Sequence, residues 1–160
     1  MRIFHILPAG VSENTDLDAL ARVALPEQGF VWVACARNEF ETMQAPIQSM
    51  LQALCGLQLV ELHISDLMNS QLPSHYDYTS QYDLLVFRRL AAGSRPAPLS
   101  GTAPAPASTS SGPPILRRID TSPVGFAVFD RVLLTVHPTD CAARDTYATK
   151  LLQAASAEPR

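Results

Sequence analysis

LVELHISDLMNSQLPSHYDYTSQYDLLVFRRL, residues 59–90, is the stretch on which the assembly of the rest of the chain turns. The apolar run that ends at His63, residues 57–63, predicts a strand. A turn-rich segment follows with Asp66, Asn69 and Pro73, and a second strand is predicted over residues 82–90, apolar from Leu84 onward. SDLMN reads as a helix start in which Ser65 or Asp66 caps free backbone N–H groups. Tyr76, Tyr78 and Tyr82 are evenly spaced, so an extended segment would set them on one face, either packed on apolar neighbours or at a subunit interface.

Upstream, residues 2–7 form a short apolar run stopped by Pro8 and Gly10, as a first strand would be. Residues 16–25 carry Leu17, Leu20, Ala21 and Ala24 at helical spacing, with Pro26 as a stop. FVWVACA, residues 30–36, is a continuous β-prone run and predicts a central strand buried on both faces. From Asn38, read as an N-cap, Phe40, Met43, Ile47, Met50, Leu51 and Leu54 give one apolar helix face that ends at Gly56. Pro46 interrupts that face, and an interior proline predicts a kink or a second helix start.

Downstream, residues 91–114 are almost entirely Ala, Pro, Ser, Gly and Thr, a composition that cannot fill a core and predicts a disordered insertion. Residues 115–119 read as part of a strand, and residues 125–129 and 131–137 as a hairpin turning at Asp130 and Arg131. These strands most simply complete the sheet begun before the insertion. A helix over residues 139–157 follows and runs on without a cap, which predicts a truncated element. The expectation is one α/β domain over residues 1–160.

The balance of 12 Lys and Arg against 15 Asp and Glu, with basic residues only in short pairs, lacks an electrostatic footprint for nucleic acid. The start, MRIFHILPAG, lacks the apolar core of a secretory signal, so a cytosolic domain is expected. No run approaches the ~18 apolar residues of a spanning helix. Cys35, Cys55 and Cys141 are odd in number and far apart, which suits neither a disulfide framework nor a paired-cysteine zinc site.

Enzyme motifs are missing as well: there is no nucleophile elbow, no phosphate-cradling glycine loop and no dinucleotide fingerprint. His63 and Asp66 stand three apart, close enough to share one face as a metal or acid–base pair if the segment is helical, but a histidine at a strand end beside a turn is usually just hydrogen-bonded locally, which is the simpler reading. Asp66 lacks an obvious second carboxylate for a hard cation.

In order and spacing, Trp32 in its strand, Asp66 to Asn69, Tyr82 to Phe87 and Leu133 to His137 resemble the N-terminal cytoplasmic domain of CorA-type magnesium transporters. The resemblance implies a three-layer α/β/α domain with a mixed parallel/antiparallel sheet, not an enzyme. It implies a regulatory domain of a divalent-cation channel, with Mg2+ as transported and regulatory ion and the membrane spans lying C-terminal to these residues. Ions bound between subunits would hold the closed state, and Asp66 matches the family's regulatory carboxylate. Ser65 stands where the family commonly has glutamate, which removes one carboxylate from that site. The family assembles as homo-oligomers, here a pentamer for the full-length protein and a soluble monomer for the 160 residues alone, at the cytoplasmic face of the cell membrane. The zinc-transporting branch shares this fold, and a stand-alone interaction or sensor module is the other reading.

Overall fold

The computed structural model describes residues 1–21, 27–90 and 121–157. The predicted insertion 91–114, the strand at 115–119 and the end of the helix predicted over 16–25 lie outside the described residues. The chain runs β1 (Arg2–Leu7), β2 (Gly10–Asn14), α1 (Leu17–Ala21), β3 (Phe30–Ala36), α2 (Arg37–Thr42), α3 (Gln44–Cys55), α4 (Glu61–Met68), β4 (His75–Tyr78), β5 (Asp83–Leu90), β6 (Thr121–Val128), β7 (Val132–His137) and α5 (Ala142–Ala157). The strands form one seven-stranded sheet in the order β2-β1-β3-β7-β6-β5-β4. Only β3 and β7 pair in parallel, Val31 opposite Val132, and every other neighbour is antiparallel. The sheet is therefore mixed, and β3 sits inside it with every residue after Phe30 buried.

Period-two alternation splits the core into two layers. On one face Ile3, Val31, Val33, Leu84, Ala127 and Leu134 meet Leu20, Phe40, Ile47, Leu51, Ile64 and Leu67 from α1 to α4. On the other, Phe4, Trp32 and Ala34 meet Ala148, Leu151 and Leu152 of α5. Trp32 stacks on Phe4 with ring centres 4.8 Å apart, and its indole N–H donates to Thr135 Oγ1 at 2.9 Å, so a buried donor is satisfied. Helices on both faces make the three-layer α/β/α architecture.

Several local expectations change. The helix around Phe40 begins at Arg37 rather than after an Asn38 cap, because the Glu39 carboxylate accepts the Ala36 N–H at 2.8 Å. It breaks at Met43 and restarts at Gln44, which places Pro46 in the first turn of α3 where a missing N–H costs nothing. Gly56 ends α3 with φ +69, as a left-handed C-cap requires. The final helix starts at Ala142, after the Cys141 carbonyl accepts the Asp145 N–H, rather than at 139.

The largest departure lies in the decisive stretch itself. Residues 57–63 are not a strand: Glu61–Met68 is the helix α4, with His63, Ile64 and Leu67 on its buried side. Neither Ser65 nor Asp66 caps it, since the N-cap is Val60 and both residues lie well inside the helix. The extended approach to α4 finds its hydrogen bonds without a strand neighbour. Gln48 on α3 donates to the Leu59 carbonyl and accepts its N–H, both at 2.9 Å. β4 then supplies the edge strand that the aromatic series was not predicted to form.

Candidate functional site

α4 and β4 together carry the titratable residues of the decisive stretch. His63 is buried on α4, and its Nδ1 lies 2.7 Å from the Tyr82 hydroxyl while Nε2 lies 3.2 Å from Asp77 Oδ2. Tyr82 Oη accepts the Val60 N–H at 3.1 Å, so the arrangement that satisfies every group has Tyr82 donating to Nδ1 and Nε2–H donating to Asp77. This chain of bonds fixes the start of α4 against β4 and β5. Hydrogen bonding from His63 holds the Asp77 carboxyl below its ordinary range, and burial pushes the Tyr82 phenol up.

Asp66 stands one turn further along α4, and its Oδ2 lies 3.6 Å from His75 Nε2 on β4. His63 and Asp66 thus engage different partners, and the structure does not pair them as an acid–base couple. Among the described residues no group of three or more His, Cys, Asp or Glu is gathered to hold a metal ion. A hard cation such as Mg2+ takes oxygen ligands and usually one or two carboxylates. Asp66 supplies one such carboxylate, facing an imidazole, with no further ligand group gathered around it among the described residues.

Tyr76 and Tyr78 do share a face, stacked at 6.0 Å and largely exposed, but Tyr82 does not join them. The turn from Thr79 to Tyr82 reverses the chain, so Tyr82 packs in the core against Phe129 at 4.7 Å. Tyr76 donates to Asp83 Oδ1 at 3.0 Å instead.

Two arginines that carry no recognisable motif tie this region to the sheet. Arg37 donates to the Leu67 carbonyl at 3.3 Å and the Pro123 carbonyl at 2.7 Å, joining α2 to the end of α4 and to β6. Arg88 donates to the Ser70 and Leu72 carbonyls, at 3.2 and 2.8 Å, across the turn between α4 and β4. Cationic donors on the last carbonyls of a helix are favourable, and no sequence signal marks which arginine will reach them.

A second polar group sits at the end of β7. His137 is buried, its Nδ1–H donates to the Pro138 carbonyl at 2.8 Å, and its Nε2 accepts from Arg144 at 3.2 Å. Burial, aided by the Arg144 charge, pushes its pKa below the ordinary 6.5. The folded protein thus refuses a proton that the unfolded chain takes up. Stability is full above about pH 6.5 and falls as pH drops through the lowered folded value, because the unfolded state then binds more protons. His137→Gln is expected to flatten the loss of stability between pH 7 and pH 5 in urea titrations, and an unchanged slope would show that another group sets it.

The three cysteines behave as small apolar residues. Cys35 and Cys141 are buried, Cys55 is half-buried, and burial pushes the Cys35 thiol up to about 12. No helix among the described residues is long and apolar enough to cross a membrane.

No protein-family model and no curated protein matches the sequence. Solved structures do match the fold. The full-length CmaX protein superposes over 96% of this chain with a TM-score of 0.62 at 14% identity. The CorA magnesium transporter from Methanocaldococcus jannaschii superposes over 100% of the chain with a TM-score of 0.54 at 11% identity. In each case this chain spans 39% of the length of the solved one. At such identities the likeness establishes the fold alone, one that this chain shares with part of each of these structures.

Proposed function

We propose that this chain is the cytoplasmic regulatory domain of a divalent-cation transporter whose subunits assemble as a homo-oligomer, a pentamer in the full-length protein, with Mg2+ as the transported ion. The observation that carries the reading is the extent of the structural match, which takes in essentially the whole chain and a minor part of each solved one. A domain of this kind acts by linkage: an ion held between two neighbouring copies favours the state in which it binds more tightly, by its difference in affinity for the two states. Asp66 is the carboxylate on this chain's side of that contact. In this reading a neighbouring subunit supplies the remaining ligands, since among the described residues no group of three or more His, Cys, Asp or Glu is gathered to hold a metal ion.

The reading is tested on the longer polypeptide reconstituted in vesicles with a Mg2+-sensitive dye inside. Mg2+ influx that falls as Mg2+ accumulates on the domain side supports it, and vesicles no leakier than empty ones would end it. Zn2+, Co2+ and Ni2+ run in parallel identify the preferred cation. Asp66→Ala is expected to raise the Mg2+ concentration needed for closure by about fivefold or more. His75→Gln, which removes the same intrachain pair but keeps the carboxylate, should leave closure near the parent value. If both variants shift closure equally, the effect comes from the α4–β4 contact and Asp66 is not a ligand.

A further inference from the structure

α4 and β4 meet through two histidine–carboxylate pairs set in opposite senses. His63 and Asp66 stand three apart on α4, and His75 and Asp77 stand two apart on the extended β4, so each element offers one imidazole and one carboxylate to the other. His63 meets Asp77, and Asp66 meets His75. The two pairs are in different states. In the first, the imidazole is fully engaged, with Nδ1 2.7 Å from the Tyr82 hydroxyl and Nε2 3.2 Å from Asp77 Oδ2. This pair sets the separation of α4 and β4, and the second pair inherits it.

The second pair is not hydrogen-bonded. His75 Nε2 and Asp66 Oδ2 lie 3.6 Å apart, beyond the ~2.7 to 3.2 Å of an N–H···O bond. The other ring nitrogen gives the reason. Nδ1 stands 3.2 Å from the Pro73 carbonyl oxygen, which only accepts, so Nδ1 carries the hydrogen. In the neutral ring Nε2 therefore turns a lone pair toward an oxygen that itself has only lone pairs to offer. A cation between the two atoms converts that opposition into two bonds. Metal-binding histidines are set in this way, one nitrogen donating to a backbone carbonyl while the other ligates.

The spacing discriminates between ions. Two bonds of about 2.1 Å at the tetrahedral angle put their ligand atoms about 3.4 Å apart, whereas neighbouring ligands of an octahedral Mg2+ stand about 3.0 Å apart. The observed 3.6 Å lies nearer the tetrahedral value. Ligand type agrees, since imidazole suits Zn2+ and its transition-metal neighbours while Mg2+ takes oxygen.

We infer that Asp66 and His75 are two ligands of a Zn2+-class cation held within one chain, with water completing the tetrahedron, and that the ion fastens β4 to α4. The site needs no second subunit and does not depend on the transporter reading. β4 has use for such a tether: it is four residues long and, among the described residues, lies at the sheet edge with β5 as its strand neighbour.

Calorimetric titration of the chain with Zn2+ tests the site, in a Cys55→Ala background that removes the half-buried thiol. One site is expected. His75→Gln and Asp66→Asn should each weaken it about tenfold or more, and His5→Gln should leave it unchanged. Mg2+ in about tenfold excess over Zn2+ should not displace the bound ion. Nitrogen NMR of the parent chain reads the ligand atom directly, and decides the matter should either substitution unfold the protein: Zn2+ should move the His75 Nε2 resonance and leave Nδ1 protonated. Amide exchange over residues 75–78 should slow about tenfold with Zn2+ present. Zn2+ binding that is equal in the parent and both variants overturns the proposal, as does no binding, ligation through Nδ1, or displacement by Mg2+ at equal concentration. Cation flux through the longer polypeptide is scored separately: Zn2+ binding without Mg2+ flux leaves this site standing and ends the transporter reading, and flux without Zn2+ binding does the reverse.

Discussion

Phe40→Ala is expected to lower the unfolding free energy by about 3 to 5 kcal/mol, the cost of deleting a fully buried aromatic side chain together with the cavity it leaves. Phe40 is 1% exposed and belongs to the first-face core with Leu51, Ile64 and Val136, so several elements lose a partner at once. Collapse around the gap is limited because α2, six residues long, is fixed at its start by the Glu39 bond to Ala36 and by the pairing of Glu39 with the amino terminus. At this chain length the loss corresponds to a drop in Tm of about 10 °C. Urea unfolding followed by Trp32 fluorescence measures it, since Trp32 is the single tryptophan and lies on the opposite face of the sheet. A loss below about 1 kcal/mol would show that the site closes up and that α2 is not a fixed part of the core.

Gly29→Ala is expected to be at least as damaging, by a different route. Gly29 holds φ at +102, and an added Cβ would stand 2.2 Å from the Ile6 carbonyl oxygen. The obstacle is backbone in β1, so no side chain can swing aside. Relief requires β3 to pull away from β1, whose register runs from Arg2 opposite Ala34 to Ile6 opposite Phe30. Strain at a disfavoured φ and overpacking each contribute about 1 to 3 kcal/mol, which together consume much of the stability of an ordinary domain. Circular dichroism melting of purified protein checks this, and Gly10→Ala is the companion variant, because Gly10 also has positive φ but nothing within 4 Å of an added Cβ. Equal losses in the two variants would mean that φ alone matters at Gly29 and that the approach to Ile6 carries no weight.

The contrast between the β6–β7 hairpin and α4 shows where sequence reading holds and where it stops. The hairpin was legible because Gly125, the apolar alternation and the Asp130–Arg131 turn all act within a few residues, and Phe129 N–H indeed bonds the Val132 carbonyl at 2.9 Å. Residues 57–63 misled because Leu57, Leu59, Val60 and Leu62 form an apolar run, while the helical side His63, Ile64 and Leu67 extends over barely two turns. What tips the segment into a helix is not local. Gln48 takes up the backbone of Leu59, and the Tyr82 hydroxyl takes up the N–H of Val60, from positions 11 and 22 residues away. Asp66, read from the sequence as a helix cap or a metal ligand without an intrachain mate, instead faces His75, on a strand the sequence did not announce.

From residues alone came the α/β class, the central buried strand 30–36, the helix break near Pro46, the stop at Gly56 and the absence of enzyme motifs. All are written in periodicity, in conformationally restricted residues or in the spacing of chemical groups, and each acts over a short stretch of chain. Tertiary structure decided the helical state of α4, the His63–Tyr82–Asp77 and Asp66–His75 pairings, and the packing of α1 to α4 on one face of the sheet and of α5 on the other. These depend on which distant residues supply a missing hydrogen bond or cover an apolar row, and contacts between distant residues exist only once the chain has closed on itself.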